Sequence, residues 1–496
     1  MQVGFSGVDW LVFGIYFFVL ALASFFLSRK KILSSREYFV GSNVMPTFAV
    51  AISVLATSQS AATFLGAPEY AYKLDLTLIG FYFSALAAVY IVAKVLIPRF
   101  YAINALTVYE LLEVRYGSDA KKQAGVMFLI GRLFASGARL YIAALAVSMI
   151  MFYNISLFHV SLSVGILIFG ALVFTYFGGV KSVIFSDIIQ AVTYIGAGVA
   201  VVMYIYSSLD MTTSQILDVL SAKEKLKLID FELSFSSEGK FNIFGLLTGW
   251  LLLNIAAFGL DQDLTQRVLS CKNKEEASRS LYLSTLLTIP VVLLFLLIGL
   301  LLFVFYEQHQ ITQSFKGESV TIFMYYILNE MPSGLKGFVT VGAIAAALSS
   351  TNSVLGAMSS VAIEDLYKPY KLSHDAKVDE LHFVKAARIG VLIFAMLLSI
   401  MAVLSFIVHQ ASDIPLISFA LGVMAFAYSG LLGVFISAIF THRGSAKVVP
   451  VALVSGFLTV LSMQSYTFGL NIGFAWQIVI GTLVSFAIMQ TQKISR

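Results

Sequence analysis

Long stretches without a charged residue recur along this sequence and restrict the environment in which it can fold. Residues 188–207 and 280–306, for example, contain no Asp, Glu, Lys or Arg. The whole chain is 59% hydrophobic and 12% charged, whereas a soluble domain carries about 25% charged residues. About 20 apolar residues are enough to cross a bilayer as an α-helix. The sequence therefore predicts an all-α integral membrane protein, embedded in a lipid bilayer.

The number of segments of spanning length predicts about thirteen transmembrane helices. Residues 124–153 and 335–363 are long enough to be tilted or to extend beyond the lipid. The first span, residues 8–27, follows no basic segment, so we expect it to be retained rather than cleaved as a signal. Residues 1–496 are predicted to form one transmembrane domain. The predicted spans are centred near Phe18, Leu55, Leu86, Ala138, Leu167, Gly196, Leu251, Val291, Ser349, Ala395, Met424, Val454 and Gly481.

Lys and Arg concentrate in alternate loops, and cytoplasmic loops carry the excess of these residues. The pattern predicts a multi-pass protein of the cell (inner) membrane, with its N-terminus outside and its C-terminus in the cytoplasm. Residues 209–240 depart from the pattern, but acidic residues there offset the lysines. The cations assigned to the cytoplasmic side are Arg29, Lys30, Lys31, Arg36, Arg99, Arg115, Lys121, Lys122, Arg267, Lys272, Lys274, Arg279, Lys368, Lys371, Lys377, Lys385, Arg443, Lys447, Lys493 and Arg496.

Several functional classes are disfavoured by composition. The formal net charge of +5 reflects topology more than a nucleic-acid partner. The single Cys271 excludes an internal disulfide and a Cys metal cluster, and the six histidines are scattered. Because no His/Asp/Glu cluster or nucleophile pair is apparent, we expect neither an enzyme nor a cofactor. No obligate protein partner is evident.

The second predicted span carries an unusual polar run, Thr57-Ser58-Gln59-Ser60. Burying these groups without partners is unfavourable, Gln59 most of all. A helix broken here would free backbone carbonyls for a cation, and its hydroxyls could contact a polar solute. The alternative is that Ser and Thr bond back to their own helix or mediate helix packing.

The ninth predicted span carries five consecutive polar side chains, from Ser349 to Ser353. Ser349, Asn352 and Ser353 share one helix face, and Ser350 points about 100° away. Sodium is a hard cation that prefers hydroxyl and carbonyl oxygens. The two faces could therefore serve two ions. A small-residue helix contact is the alternative.

Three charged residues within or next to predicted spans are candidates for a functional or structural role. Asp187 begins the sixth span, where an acid indicates an ion site or a favourable helix N-terminus. Arg132 and Arg139 share a face of the long fourth span, about 10.5 Å apart along its axis. The guanidinium of Arg139 suits a carboxylate. Arg132 is assigned a structural role, for which a pair with Asp187 is one possibility.

These residues belong to a wider pattern, by which the chain resembles the sodium:solute symporter family, within the group sharing the leucine-transporter fold. The resemblance covers nearly the whole chain. Its motif residues are Glu37, Tyr38, Phe39, Gly41, Ser53, Ala56, Thr57, Ser60, Ala61, Phe64, Leu65, Gly66, Gly178, Gly179, Asp187, Gln190, residues 258–263 and 266–269, Ala346, Ser349, Ser350, Ser353, Gly430, Gly433, Val434 and Phe435.

The resemblance implies one leading helix, two inverted five-helix repeats at about residues 43–207 and 241–440, and two trailing helices. It implies a first sodium site on the carbonyls of Ala56, Gln59 and Ala346 and the hydroxyls of Ser349 and Ser350.

Within the family, the site looks most like that of bacterial sialic acid symporters. This likeness implies a second sodium site at Asp187, Ser349, Asn352 and Ser353. It implies solute contacts from Ser58, Ser60, Thr63 and Arg139.

Some positions depart from the patterns of these relatives. Asn352 stands where a hydroxyl residue is expected, although an amide oxygen can also coordinate sodium. Tyr82 lies near the place of an expected glutamine. Asn254 matches a polar residue of the sugar-carrying relatives. Those relatives also have a lysine, which is not found here, and a gating tyrosine, whose place is taken by Ala257.

The function predicted is sodium-coupled import of sialic acid (N-acetylneuraminate) with two sodium ions, by alternating access. A sodium-coupled symporter of a neutral sugar, monocarboxylate, vitamin or amino acid is the nearest alternative. A sodium-permeable channel, a transporter-like sensor and a membrane enzyme are more distant ones.

Overall fold

The computed structural model describes residues 5–27, 31–235, 241–309, 321–375, 377–410, 416–470 and 472–492. Over these ranges the chain is helical, with two isolated β-bridges. The first helices are α1 (Gly7–Leu27), α2 (Ser35–Val40), α3 (Thr47–Ser58), α4 (Ala61–Lys73), α5 (Ile79–Ala102), α6 (Glu110–Tyr116), α7 (Ser118–Phe152), α8 (Leu157–Ser207) and α9 (Thr213–Ala222). A 3-10 turn, Gly41–Asn43, lies between α2 and α3.

The remaining helices are α10 (Ile243–Leu247), α11 (Gly249–Gly259), α12 (Gln262–Val268), α13 (Lys274–Gln308), α14 (Ile322–Asn329), α15 (Leu335–Ser360), α16 (Lys368–His374), α17 (Glu380–Gln410), α18 (Leu416–Phe440), α19 (Val449–Ser462), α20 (Ser465–Phe468) and α21 (Phe474–Met489). A π-helical segment, Val361–Tyr367, joins α15 to α16. Four of the cations used to predict orientation, Arg29, Lys30, Lys493 and Arg496, lie outside the described residues.

Several of these helices are long and apolar enough to cross a membrane, so the protein is a multi-pass membrane protein. In the part of the chain that is described, seven helical stretches are long and apolar enough to cross a bilayer, and two bent pairs raise the number to nine. The pairs are α3 with α4, bent by 59°, and α11 with α12, bent by 55°. Helices α19 and α21, of 14 and 16 residues, are shorter than the usual span of about 20. The total of about thirteen spans stays a prediction.

Helix α8 is counted once above although it is long enough for two spans. Its 51 residues correspond to about 75 Å at 1.5 Å per residue, and a hydrocarbon core is about 30 Å thick. The helix is interrupted at Gly179, where φ is 57° and ψ is −157°. A Cβ at this position would lie 2.5 Å from the carbonyl oxygen of Tyr38. Only glycine fits this backbone and this close approach, so the Gly178-Gly179 pair divides the predicted fifth and sixth spans.

Helix α15 is buried along most of its length and packs against α3, α7, α8 and α17. Its N-terminal end is tied to α1 by Asp9, which is fully buried. The Asp9 carboxylate accepts hydrogen bonds from the backbone N–H groups of Gly334 and Gly337, both at 2.8 Å. The first N–H groups of a helix have no partners within it, so Asp9 supplies acceptors and fixes the leading helix to the centre of the bundle.

Candidate functional site

The candidate site begins at the interruption between α3 and α4. Gln59 and Ser60 both have extended backbone, with φ/ψ of −83°/146° and −145°/173°. The hydroxyl of Ser58 donates to the carbonyl of Leu55 at 2.8 Å, a local bond that competes with a continuous helix. Because the last carbonyls of a helix have no donors within it, the break makes carbonyl oxygens at the end of α3, including that of Ala56, suitable for a cation.

The hydroxyls of α15 divide into two groups. Ser349 donates to Asp187 Oδ1 at 2.7 Å, and Ser353 forms a hydrogen bond with Thr57 Oγ1 at 2.9 Å. These bonds join α15 to α8 and α3. Ser350 instead bonds back to the carbonyl of Ala347 at 3.0 Å and lines a cavity beside α4 and α7. The two faces predicted from helical spacing are thus directed to two different environments.

The side chain of Asn352 faces neither Asp187 nor the cavity. With its amide oriented to satisfy its neighbours, the side-chain nitrogen donates to the carbonyls of Ala171 at 3.1 Å and Leu348 at 3.3 Å. Its own backbone carbonyl accepts from Thr175 Oγ1 at 3.3 Å. The side chain therefore faces the first half of α8, and among the described residues it makes no hydrogen bond to Asp187.

Asp187 has a cationic partner that the sequence analysis did not identify. Arg267 Nε and Nη2 both lie 3.3 Å from Asp187 Oδ2. Ser53 also donates to this oxygen. The assignment of Arg267 to a cytoplasmic loop was wrong, because Arg267 lies at the end of α12 and is only 1% exposed. Its position in the motif 266–269, four residues after Asp263, was the available signal.

Arg132 has partners other than Asp187, so the suggested Arg132–Asp187 pair was wrong. Arg132 Nη1 lies 3.3 Å from Asp261 Oδ2, and Nη2 donates to Asp263 Oδ2. The hydroxyl of Tyr428 in α18 also donates to Asp261. We refer to Asp187, Arg267, Asp263, Arg132 and Asp261 as the buried ion network. It joins α7, α8 and α12, and Tyr428 extends it to α18.

A cavity borders both the ion network and the α3–α4 break. Its lining includes Arg139 and Ser136 of α7, Asp263 of α12, and Ser350 and Thr351 of α15. A guanidinium that can bind a carboxylate and a hydroxyl that can bind sodium therefore share one space.

The structure gathers other candidate solute residues nearby. Tyr82, which lies near the place of the expected glutamine, is beside Gln59 and Thr63 and close to Arg139, so it belongs to this region. Ser60 directly precedes α4 and is 6% exposed, and Ser58 is half-buried at the end of α3. Asn254 donates to the carbonyl of Phe81 at 3.2 Å and so contacts α5.

The sequence of this chain is similar to those of known transporters. A family model described as the sodium:solute symporter family matches residues 38–456. The sodium/sialic acid symporter SiaT of Proteus mirabilis is 27% identical, over 95% of this chain and 92% of that protein. The sodium/sialic acid symporter NanT of Aliivibrio fischeri is 27% identical, over 94% of this chain and 88% of its own length. The human sodium-coupled monocarboxylate transporter 1 is 27% identical, over 68% of this chain and 54% of its own length.

Solved structures share the fold. A Na⁺-coupled sialic acid symporter in a substrate-bound outward-open state has a TM-score of 0.84 at 24% identity, covering 99% of both chains. Mhp1, a nucleobase-cation-symport-1 family transporter, has a TM-score of 0.55 at 14% identity, covering 91% of this chain and 93% of its own. The predicted all-α fold of the leucine-transporter type is confirmed.

Proposed function

Because the chain belongs to the sodium:solute symporter family, we propose that it imports sialic acid together with sodium. One observation carries this proposal above all: Arg139 and Ser350 line the same cavity. Sialic acid offers a carboxylate for Arg139 and hydroxyls for the polar side chains Ser58, Ser60 and Thr63 around the break in α3–α4. Two relatives that align over most of their length are sodium/sialic acid symporters, which favours this solute.

The first sodium is assigned to the carbonyls of Ala56, Gln59 and Ala346 and the hydroxyls of Ser349 and Ser350. The broken end of α3 supports this assignment, because it supplies carbonyl oxygens for which a hard cation competes well. The second sodium is assigned to Asp187, Ser349, Asn352 and Ser353. The contacts among Asp187, Ser349 and Ser353 support it, whereas Asn352 must turn from Ala171 to take part.

Two sodium ions fit the energetics of an anionic solute. Moving one charge across 100 mV is worth about 2.3 kcal/mol. One sodium with one monoanion moves no net charge and gains nothing from the membrane potential. A second sodium restores that contribution, so each cycle carries one net positive charge inward.

Sodium would act by holding together elements of different repeats. We place the repeats at about residues 43–207 and 241–440, since each then has a bent helix pair, α3–α4 or α11–α12, near its beginning. Ions between α3 and α15 favour one arrangement of the repeats, the solute docks at the break, and the bundle rocks to the other side. The N-terminus is assigned outside and the C-terminus to the cytoplasm of the cell (inner) membrane, from the loop cations.

A monocarboxylate is the second candidate solute. Arg139 would bind any small carboxylate, and a human sodium-coupled monocarboxylate transporter aligns with 68% of the chain. Transport of a carboxylate that has no sugar hydroxyls would distinguish this solute from sialic acid.

The test is uptake of labelled N-acetylneuraminate into proteoliposomes under an imposed inward sodium gradient. We expect uptake that stops when potassium or choline replaces sodium, and that unlabelled N-acetylneuraminate suppresses far better than lactate. Equal uptake in potassium buffer would refute sodium coupling. Sodium-driven uptake of lactate without uptake of N-acetylneuraminate would instead support the monocarboxylate.

A further inference from the structure

The guanidinium of Arg267 is surrounded by acidic and hydroxyl oxygens, as a bound cation would be. Its Nε donates to Ser53 Oγ at 2.8 Å, and its Nη2 donates to Ser353 Oγ. Both nitrogens also lie 3.3 Å from Asp187 Oδ2. A carboxylate and two hydroxyls therefore surround one positive charge, and Arg267 is almost fully buried there.

Two of these partners, Asp187 and Ser353, are also ligands of the second sodium site proposed above. Two unit charges a few ångströms apart repel strongly in a weakly polar interior. Among the described residues, the remaining carboxylate oxygen, Asp187 Oδ1, accepts one hydrogen bond, from Ser349. Ser353 Oγ already bonds to Arg267, to Thr57 and to the carbonyl of Ser349, so a sodium ion that binds Ser353 together with Asp187 would displace the guanidinium.

A second acceptor is already in place for Arg267. Asp263 Oδ1 is buried without a hydrogen-bond partner among the described residues. Arg267 Nη1 lies 3.6 Å from this oxygen, within ion-pairing range but beyond hydrogen-bond distance. Nη1 also donates to the backbone carbonyl of Asp263 at 2.9 Å, which keeps the guanidinium beside it. Buried unpaired oxygens are rare and call for an explanation.

We propose that Arg267 is an exchangeable internal cation that competes with the second sodium for Asp187. When sodium binds Asp187, Arg267 moves to Asp263 Oδ1 and completes the bonding of that carboxylate. Asp263 also binds Arg132 of α7, so the exchange transmits sodium binding from α8 to the contact between α12 and α7. This inference rests on the second sodium site of the proposed function and makes Arg267 a positioning residue.

A purely structural Arg267 would behave differently. If Arg267 stayed on Asp187 whether or not sodium is bound, its removal would still raise sodium affinity by relieving charge repulsion, but Asp263→Asn would change the sodium titration no more than Asp261→Asn does. In a competition, the apparent dissociation constant for sodium equals the intrinsic constant divided by the fraction of molecules in which the guanidinium does not occupy Asp187. Occupancy of about nine-tenths raises it about tenfold.

The experiment measures sodium binding without a solute. Purified protein is titrated with sodium chloride at constant ionic strength, with potassium as the replacing ion, and its melting temperature is recorded. Arg267→Gln, which keeps hydrogen bonding but removes the charge, should shift the half-maximal sodium concentration about tenfold lower. Asp263→Asn removes the charge to which Arg267 moves and should shift it about tenfold higher. Arg267→Lys keeps the charge and should stay near the wild type.

Asp261→Asn is the matched control, since it removes a charge from the same network without a contact to Arg267, and its sodium titration should match the wild type. If Arg267→Gln does not fold, the upward shift in Asp263→Asn, judged against Asp261→Asn, still tests the proposal. Sodium titrations of Arg267→Gln or Asp263→Asn that coincide with the wild type would overturn the exchange and leave the proposed function standing. A wild type with no sodium-specific shift would overturn the sodium sites themselves. Failure of N-acetylneuraminate uptake beside an intact sodium shift would overturn only the assigned solute.

Discussion

Replacing Arg139 tests the class of solute directly. If Arg139 binds the solute carboxylate through two charge-assisted hydrogen bonds, Arg139→Ala should weaken the acid strongly. Truncating one partner of a buried charge pair costs about 2–5 kcal/mol. Arg139 lines a cavity and is only partly buried, so the lower part of that range applies. A loss of about 2–3 kcal/mol corresponds to roughly 30- to 140-fold in affinity.

The assay compares N-acetylneuraminate with its neutral methyl ester as inhibitors of uptake, or by direct binding to purified protein in saturating sodium. Arg139→Ala should weaken binding of the acid by the factor above and binding of the ester by less than about threefold, the scale of a neutral hydrogen bond. Arg139→Lys should recover part of the acid affinity, because an ammonium keeps the charge but lacks the planar fork.

Arg132→Lys provides the matched control on the same helix. Arg132 is bound to Asp261 and Asp263, so its replacement should not discriminate between acid and ester. Equal weakening of acid and ester by Arg139→Ala would refute the carboxylate role, and a neutral solute would then be the better assignment.

Three further replacements test the two sodium sites and the contact by which Asp9 holds α1 against α15. Ser350→Ala should raise the sodium concentration for half-maximal uptake by roughly tenfold, the scale of one hydrogen bond to a charged group. Thr340→Ala, which removes a hydroxyl bonded within the same helix, should leave that concentration unchanged. Equal effects of the two replacements would contradict a sodium ligand at Ser350. Asp187→Asn should lower the Hill slope for sodium and reduce the charge moved per solute by one; an unchanged slope and charge would limit Asp187 to a structural role with Arg267. Asp9→Ala should lower stability by about 0.5–2 kcal/mol, as loss of a helix cap does, with a smaller effect from Asp9→Asn; a melting temperature equal to the wild type would contradict the cap.

The sequence predicted features whose signal is local. The run from Thr57 to Ser60 indicated a broken helix because burying such polar side chains without partners is unfavourable, and α3 ends there. Spacing along α15 separated the face of Ser349 and Ser353 from that of Ser350, and the structure directs these faces to Asp187 and to the cavity.

Contacts between distant segments were not predictable in the same way. Arg267 and Asp187 are 80 residues apart, and charge type alone did not decide whether Asp187 would pair with Arg132 or Arg267. Residues 261–267 carry two acids and an arginine, and they contact both α7 and α8. Arg132 therefore pairs with Asp261 and Asp263, and Asp187 pairs with Arg267. The orientation of Asn352 depends on the carbonyl of Ala171, and no local pattern indicates that neighbour.

The buried ion network also has a consequence for how the protein is made. Arg132 and Asp263 are 131 residues apart, and a ribosome adds about 5–20 residues per second. Helix α7 therefore enters the membrane on the order of ten seconds before its counter-charges are synthesised. During that interval Arg132 and Arg139 must stay near water, lipid headgroups or the insertion machinery, since an unpaired arginine at mid-bilayer is unfavourable. The positive charge of Arg132 is neutralised only when Asp261 and Asp263 arrive, so we expect these two acids to determine how much protein retains α7 in the membrane.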